Sequence, residues 1–446
     1  MTAAPVLDDT APAPTPARAR TVRPLLSELR RGVGPWAGAA LALTVSIAMY
    51  GKADYIDGWQ SRWGEATSLL RTAGLLLGGP LAVAAGCWQG GRERRRGTGE
   101  LWASTARTPL RRAAVAAAPA APAALWPALG HLLAATGCLL ATWPYVSAGR
   151  PDLLLVLVDA VALAALGTLG FVAGRVIPWR LTAPLLAAAT YVVLGFPAYG
   201  NTPWQWLDPA MAHSYNWDKA VWWFAPASVV WTGGLAATAF LAYAARRRTL
   251  ALPPLTAACA AAVLIGTGNG GQGPWRADTA AARLVCDDGT PQVCVTAVDS
   301  RLLPQVSAAL ADLNGALRGV PGAPVRWTDG PRPTGPDEAS LPTPAFESLR
   351  GRLRDPGAYA HGAVQYLFSD SCEDQDYEHP GWARASEVNS AVIQWLAPSA
   401  AYEPVLTDRS RADLARLKTK SPAERRAYLA RYLAADLCDA EEVPVP

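Results

Sequence analysis

"PDLLLVLVDAVALAALGTLG", residues 151–170, holds a single ionisable group, Asp159, between Leu153 and Gly170. About 20 predominantly apolar residues are enough to cross roughly 30 Å of hydrocarbon as a helix, so this stretch reads as a membrane span. The rest of the chain fits that reading. Of 446 residues, 51% are hydrophobic and only 17% charged, an apolar excess over ordinary soluble domains. Uncharged windows of spanning length recur at about 34–50, 72–89, 113–143, 153–174, 181–197, 223–245 and 250–267. The third is long and contains Pro119, Pro122 and Pro127, the pattern of a tilted or kinked helix. After residue 267 the apolar runs stop, and a region of ordinary polarity extends to residue 446.

Arginine placement sets the expected orientation, because short loops rich in Lys and Arg stay on the cytoplasmic side. With the amino terminus inside, segments 1–33, 90–112, 175–180 and 246–249 carry 17 Lys or Arg. The segments then outside, 51–71, 144–152 and 198–222, carry 5. Seven spans place everything after residue 267 outside. The cysteines agree: Cys87, Cys138 and Cys259 fall in apolar windows, whereas Cys286, Cys294, Cys372 and Cys438 all lie in the region expected outside, where disulfides persist. "ARLVCDDGTPQVCVTA" reads as two short strands around a turn, which pairs Cys286 with Cys294 and leaves Cys372 with Cys438. Trp36, Trp88, Trp143, Trp179, Trp222 and Trp223 sit at or near span ends, as expected of indoles at a membrane–water boundary.

The expected fold is therefore an α-helical polytopic membrane protein of about seven spans, residues 34–267, followed by a small α+β extracytoplasmic domain with disulfides, residues 268–446. Residues 1–20 read as a disordered cytoplasmic tail. Residues 21–33 read as an interfacial helix or a basic flank, and 198–222 as a re-entrant element or a plain outer loop. In the last domain, strands are expected at 282–287 and 292–297, in "PVRWTD" and in "GAVQYLFS". A helix is expected near 300–318, a long loop over 329–344, and further helices at 384–396, 408–418 and 421–437. The last of these opens on a Ser421–Glu424 capping box.

Several chemistries are excluded. None of the four lysines follows a P-loop glycine pattern, and neither HExxH nor GxSxG occurs, so nucleotide hydrolysis by a P-loop, zincin chemistry and serine hydrolysis are not expected. No enzyme activity, cofactor or metal is expected. The acidic run "SDSCEDQDYEH", residues 369–379, lacks the EF-hand glycine and spacing and reads as a solvated loop. Residues 268–446 carry a net charge of −6, which speaks against a nucleic-acid partner. Within the spans, Asp159 should face the bundle interior, with His131 at similar depth as its partner. The pair reads either as a structural hydrogen bond or as a proton or substrate contact.

One loop holds more structure than orientation needs. "GRERRRGTGELWASTARTPLRR", residues 91–112, packs seven arginines around a short amphipathic run. It resembles the loop between the second and third spans of type-2 ABC exporter permeases, especially actinobacterial ones, where a coupling helix meets the ATPase subunit. The matching residues are Gly97, Thr98, Glu100, Leu101, Ser104, Thr105, Arg107 and Arg111. The resemblance covers about residues 20–248 and includes the segments before the first span and between the fifth and sixth. A seventh span and the last domain depart from the usual six-span permease, although "SPAERRAYLARYLAADLC" resembles outer domains attached to some actinobacterial permeases. The resemblance implies a plasma-membrane permease that couples a separate cytoplasmic ABC ATPase to export, working as a homodimer or with a paralogous permease. The competing reading is a membrane-anchored extracytoplasmic sensor or enzyme.

Overall fold

The computed structural model describes residues 33–51, 59–95, 97, 121–177, 179–200, 202–213, 217–271, 273–330, 335, 337–369 and 381–446. Residues 1–20, almost all of the expected interfacial helix at 21–33, the start of the expected third span at 113–120 and most of the acidic run at 369–379 lie outside the described residues.

Among these, six helices are long and apolar enough to cross a membrane, and a seventh apolar helix, α1 (Gly34–Tyr50), is 17 residues long. The others used here are α2 (Trp63–Gly90), α3 (Ala121–Thr142), α4 (Leu153–Val176), α5 (Thr182–Gly195), α6 (Phe224–Ala244) and α7 (Leu252–Thr267). The chain is thus a multi-pass helical membrane protein. Its bundle is turned inside out relative to a soluble one: Leu133, Leu140, Val193 and Phe196 point outward, since lipid is as apolar as leucine. Trp36, Trp143, Trp179 and Trp222 are exposed near helix ends.

With no hydrophobic drive between helices in lipid, close backbone packing must hold the bundle. α2 and α4 supply it. Gly86 and Gly90 of α2 face Gly167, Gly170 and Gly174 of α4 so closely that a Cβ on Gly86 would strike the Gly167 carbonyl, and one on Gly174 the Cys87 carbonyl. Both helices carry the Gly-xxx-Gly spacing, at 86–90 and 170–174. Leu41, Val45, Leu70, Leu75 and Leu163 fill the bundle core.

α2 begins nine residues before the expected span at 72–89. It is continuous from Trp63 and contains a π-helical turn at Ala73–Leu77, which inserts one residue into a turn and often marks a functional position. The segment between α5 and α6 makes 3₁₀ turns at Phe196–Tyr199 and Pro203–Leu207, then strand β1 (Asp218–Ala220). β1 pairs antiparallel with β2 (Trp275–Ala277) just past α7.

The C-terminal unit is α+β. Its sheet runs β3 (Leu284–Cys286), β4 (Gln292–Thr296), β5 (Arg326–Thr328), β6 (Glu338–Ser340); the first pair is antiparallel and the rest parallel. Cys286 and Cys294 face each other across β3 and β4 and are bonded. Cys438 is also disulfide-bonded; its expected partner, Cys372, lies outside the described residues. The expected helix near 300–318 is broken at Leu310 into α8 (Leu303–Ala309) and α9 (Ala311–Leu317), yet Leu302, Leu303, Val306, Leu310, Leu313 and Leu317 are all buried.

Two expectations in this unit fail. "GAVQYLFS" is not a strand but lies in helix α10 (Pro356–Ser369), whose Tyr359, Ala360, Ala363, Val364 and Phe368 are buried at helical spacing. The 329–344 loop contains β6. Helices α11 (Trp382–Leu396), α12 (Asp408–Thr419) and α13 (Pro422–Ala434) complete the unit, the last with both hydrogen bonds of the Ser421–Glu424 capping box.

The C-terminal unit seats on one end of the bundle through three segments. Ser61 Oγ lies 2.9 Å from Ser348 Oγ, Arg301 N donates to Ser147 Oγ at 3.0 Å, and β1 joins β2. Those contacts use the segments between α1 and α2, α3 and α4, and α5 and α6, which were expected on one side. At the opposite end, Arg175 in the last turn of α4 forms a two-armed ion pair with Glu93 after α2, Nη2 to Oε1 at 2.9 Å. The bundle thus has a capped end and an arginine end.

Candidate functional site

The expected partners Asp159 and His131 do meet, with His131 Nε2 3.9 Å from Asp159 Oδ2 and both side chains buried. Sequence reading missed the third member. Arg71, one residue short of the expected second span, lies on α2 with its Nε 3.6 Å from Asp159 Oδ1. The signal available was the helical continuity of "WGEATSLLRTAGLLL". A guanidinium buried this deeply needs several partners. Arg71 Nε donates to the Pro209 carbonyl at 2.7 Å, and its Cζ stands 5.6 Å over the Phe224 ring.

Local backbone makes room for this arrangement. Gly74, in the π-helical turn, lies against the His131 imidazole so tightly that a Cβ would collide with it. Thr72 Oγ1 donates to the Ala210 carbonyl at 3.3 Å, and Trp231 Nε1 of α6 donates to the Leu207 carbonyl at 2.9 Å. The 203–212 segment is thereby tied to both α2 and α6. It carries Asp208, whose Oδ1 accepts from Ala210 N at 2.9 Å.

The charges nearly balance, but hydrogen bonding does not. Among the described residues, Arg71 Nη1, both His131 nitrogens, Asp159 Oδ1 and Asp208 Oδ2 are buried without a hydrogen-bond partner. Each such group carries a desolvation cost of about 1–3 kcal/mol, so the cluster is under-satisfied and favours polar hydrogen bonds. Beside it opens a cavity of about 390 Å³, walled by Thr72, Leu76, Leu194, Phe196, Asp208 and Met211. Apolar walls with one buried carboxylate oxygen suit an amphiphilic guest carrying a donor group.

A second charged cluster sits where α2 meets the C-terminal unit. Arg62, buried just before α2, holds Asp299 through both carboxylate oxygens, Nε to Oδ1 at 2.8 Å. Asp329 lies beside Asp299 and accepts from Thr296 Oγ1 at 3.2 Å. Burial first, and the neighbouring Asp299 second, push the Asp329 carboxyl up to about 7, against the pull of Arg62.

Of the proposed coupling residues, Gly97 alone is among the described residues. Gly97 follows the arginine end of α2 and adopts a left-handed φ of 65°, a conformation that suits glycine. Thr98, Glu100, Leu101, Ser104, Thr105, Arg107 and Arg111 lie outside the described residues. Compared with protein-family models, with curated proteins and with solved structures, the chain matches none.

Proposed function

We propose that the chain is the membrane subunit of an ATP-driven exporter in the plasma membrane. In this reading it has seven spans, a cytoplasmic amino terminus and an extracytoplasmic C-terminal domain, and it works with a separate cytoplasmic ATPase and a second permease copy or paralogue. The observation that carries the reading is the course of α2. This helix of 28 residues, about 42 Å at 1.5 Å per residue, starts beside Arg62 at the capped end. It passes Arg71 and the π-helical turn, packs on α4 through glycines, and ends next to the segment that resembles a coupling helix.

A push on residues 98–107 by a closing ATPase dimer is carried along α2 as a rigid lever. At its far end lie the two charged clusters, one beside the 390 Å³ cavity and one holding the C-terminal unit. ATP hydrolysis supplies the energy; this chain supplies two packings of α2 and the site they expose. Charge reversal at Glu100 and Arg107 together tests this: ATPase co-purification and transport are expected to fall while membrane insertion is unchanged. A double variant that keeps wild-type co-purification and activity rejects the docking role.

A further inference from the structure

We propose that the arginine end of the bundle carries a seat for the phosphate of an anionic lipid headgroup, formed where α2 and α4 end and α5 begins. The proposal needs only that these helices cross a bilayer; it does not depend on the exporter reading.

A cavity of about 560 Å³ opens there, lined by Trp88, Arg94, Arg95, Ile177, Trp179 and Arg180 among others. Among the described residues that line it, three are arginines and none is an acid. The nearest acid on the same turn, Glu93, is held by Arg175, so among the described residues it does not cancel the charge of Arg94 and Arg180. Arg94 and Arg180 make no ion pair among the described residues. Arg95 is already oriented: its guanidinium stacks 4.1 Å over the Trp88 ring and donates to the Trp88 carbonyl. A planar fork held this way suits the oxygens of a phosphate.

The remaining lining identifies the source of that phosphate. Trp88 and Trp179 are exposed indoles at helix ends, where such rings sit at headgroup level, and Cys87, Ile177 and Ala183 give the cavity an apolar side. A free phosphate uses only the guanidiniums. A phospholipid uses both, with its phosphate on the arginines and its glycerol and first acyl carbons along the apolar wall. Basic pockets between spans hold acidic headgroups for this reason.

Lipid retention by the purified full chain, followed by native mass spectrometry during titration with phosphatidylglycerol or phosphatidylcholine, tests the proposal. Phosphatidylglycerol is expected to remain bound where phosphatidylcholine is lost. Removing one arginine, as in Arg94→Gln or Arg180→Gln, should weaken retention about 5-fold, and the double variant about 25-fold, at roughly 1 kcal/mol per basic residue near a membrane surface. The charge-keeping pair Arg94→Lys and Arg180→Lys should hold most of it, which separates loss of the seat from loss of fold. Equal retention of both lipids, or a Gln double variant that binds phosphatidylglycerol as the wild type does, overturns the proposal. So does inorganic phosphate that binds the cavity while phosphatidylglycerol does not.

Discussion

Asp329 gives the junction between bundle and C-terminal unit a pH dependence, alongside the Glu65 carboxyl. Burial and Asp299 raise the Asp329 carboxyl from the usual 3.8 to about 7, so within that window the folded chain keeps a proton that the unfolded chain has released. Where the folded state binds more protons, stability falls as pH rises. The unfolding midpoint of the purified chain should therefore be lower at about pH 8 than at about pH 5, and Asp329→Asn should reduce that difference. An equally steep profile in the variant would remove Asp329 as its source. Among single residues, Asp159 and His131 were legible because a lone acid in an apolar run is costly and must find a partner. Arg71 and Arg62 were not legible, since hydropathy counts both as outer-loop charge. Only the fold shows Arg71 paired with Asp159 and donating to the Pro209 carbonyl, and Arg62 paired with Asp299.

Among the elements, α2 and α4 form the contact on which the proposed lever depends, and their glycines explain how the contact forms. Gly170→Leu would drive a side chain into the Val83 backbone. With no slack between helices, the cost should exceed the 1–3 kcal/mol typical of core overpacking, read as lost expression or a collapsed unfolding midpoint. Gly137→Ala on α3, with nothing among the described residues within 4 Å, is the contrast: it should be neutral or gain up to about 1 kcal/mol from helix propensity. Equal effects at the two sites would show that glycine matters here for propensity rather than for close approach. Elements with a local chemical signature were legible, such as β3 and β4 around Asp288-Gly289 and α13 behind its capping box. α10 was misread because "GAVQYLFS" is a short apolar run whose period does not separate strand from helix. The deciding signal lies just upstream, where Asp355 Oδ1 accepts from Ala358 N at 2.9 Å and Pro356 takes the first helical position.

At the scale of the whole molecule, the arginine end and the capped end must lie on opposite sides of the bilayer if each long apolar helix crosses once. The 17-residue α1 does not enter the count. Between Arg95 and β2 run α3, α4, α5, α6 and α7, an odd number, and between Arg247 and β2 runs α7 alone. The proposed topology puts the capped end outside, as the arginine bias leads one to expect, and the Cys286–Cys294 bond on that side fits it, because such bonds persist in oxidising compartments. Single cysteines placed at exposed Ala400 and Arg247, in a chain whose Cys87, Cys138 and Cys259 are replaced by alanine, give the decisive comparison. A membrane-impermeant maleimide applied to intact cells should label Ala400→Cys and reach Arg247→Cys only after lysis. Labelling of both before lysis would mean that α7 does not cross. The reverse pattern would invert the molecule, putting the arginine end outside, where no cytoplasmic ATPase reaches residues 98–107.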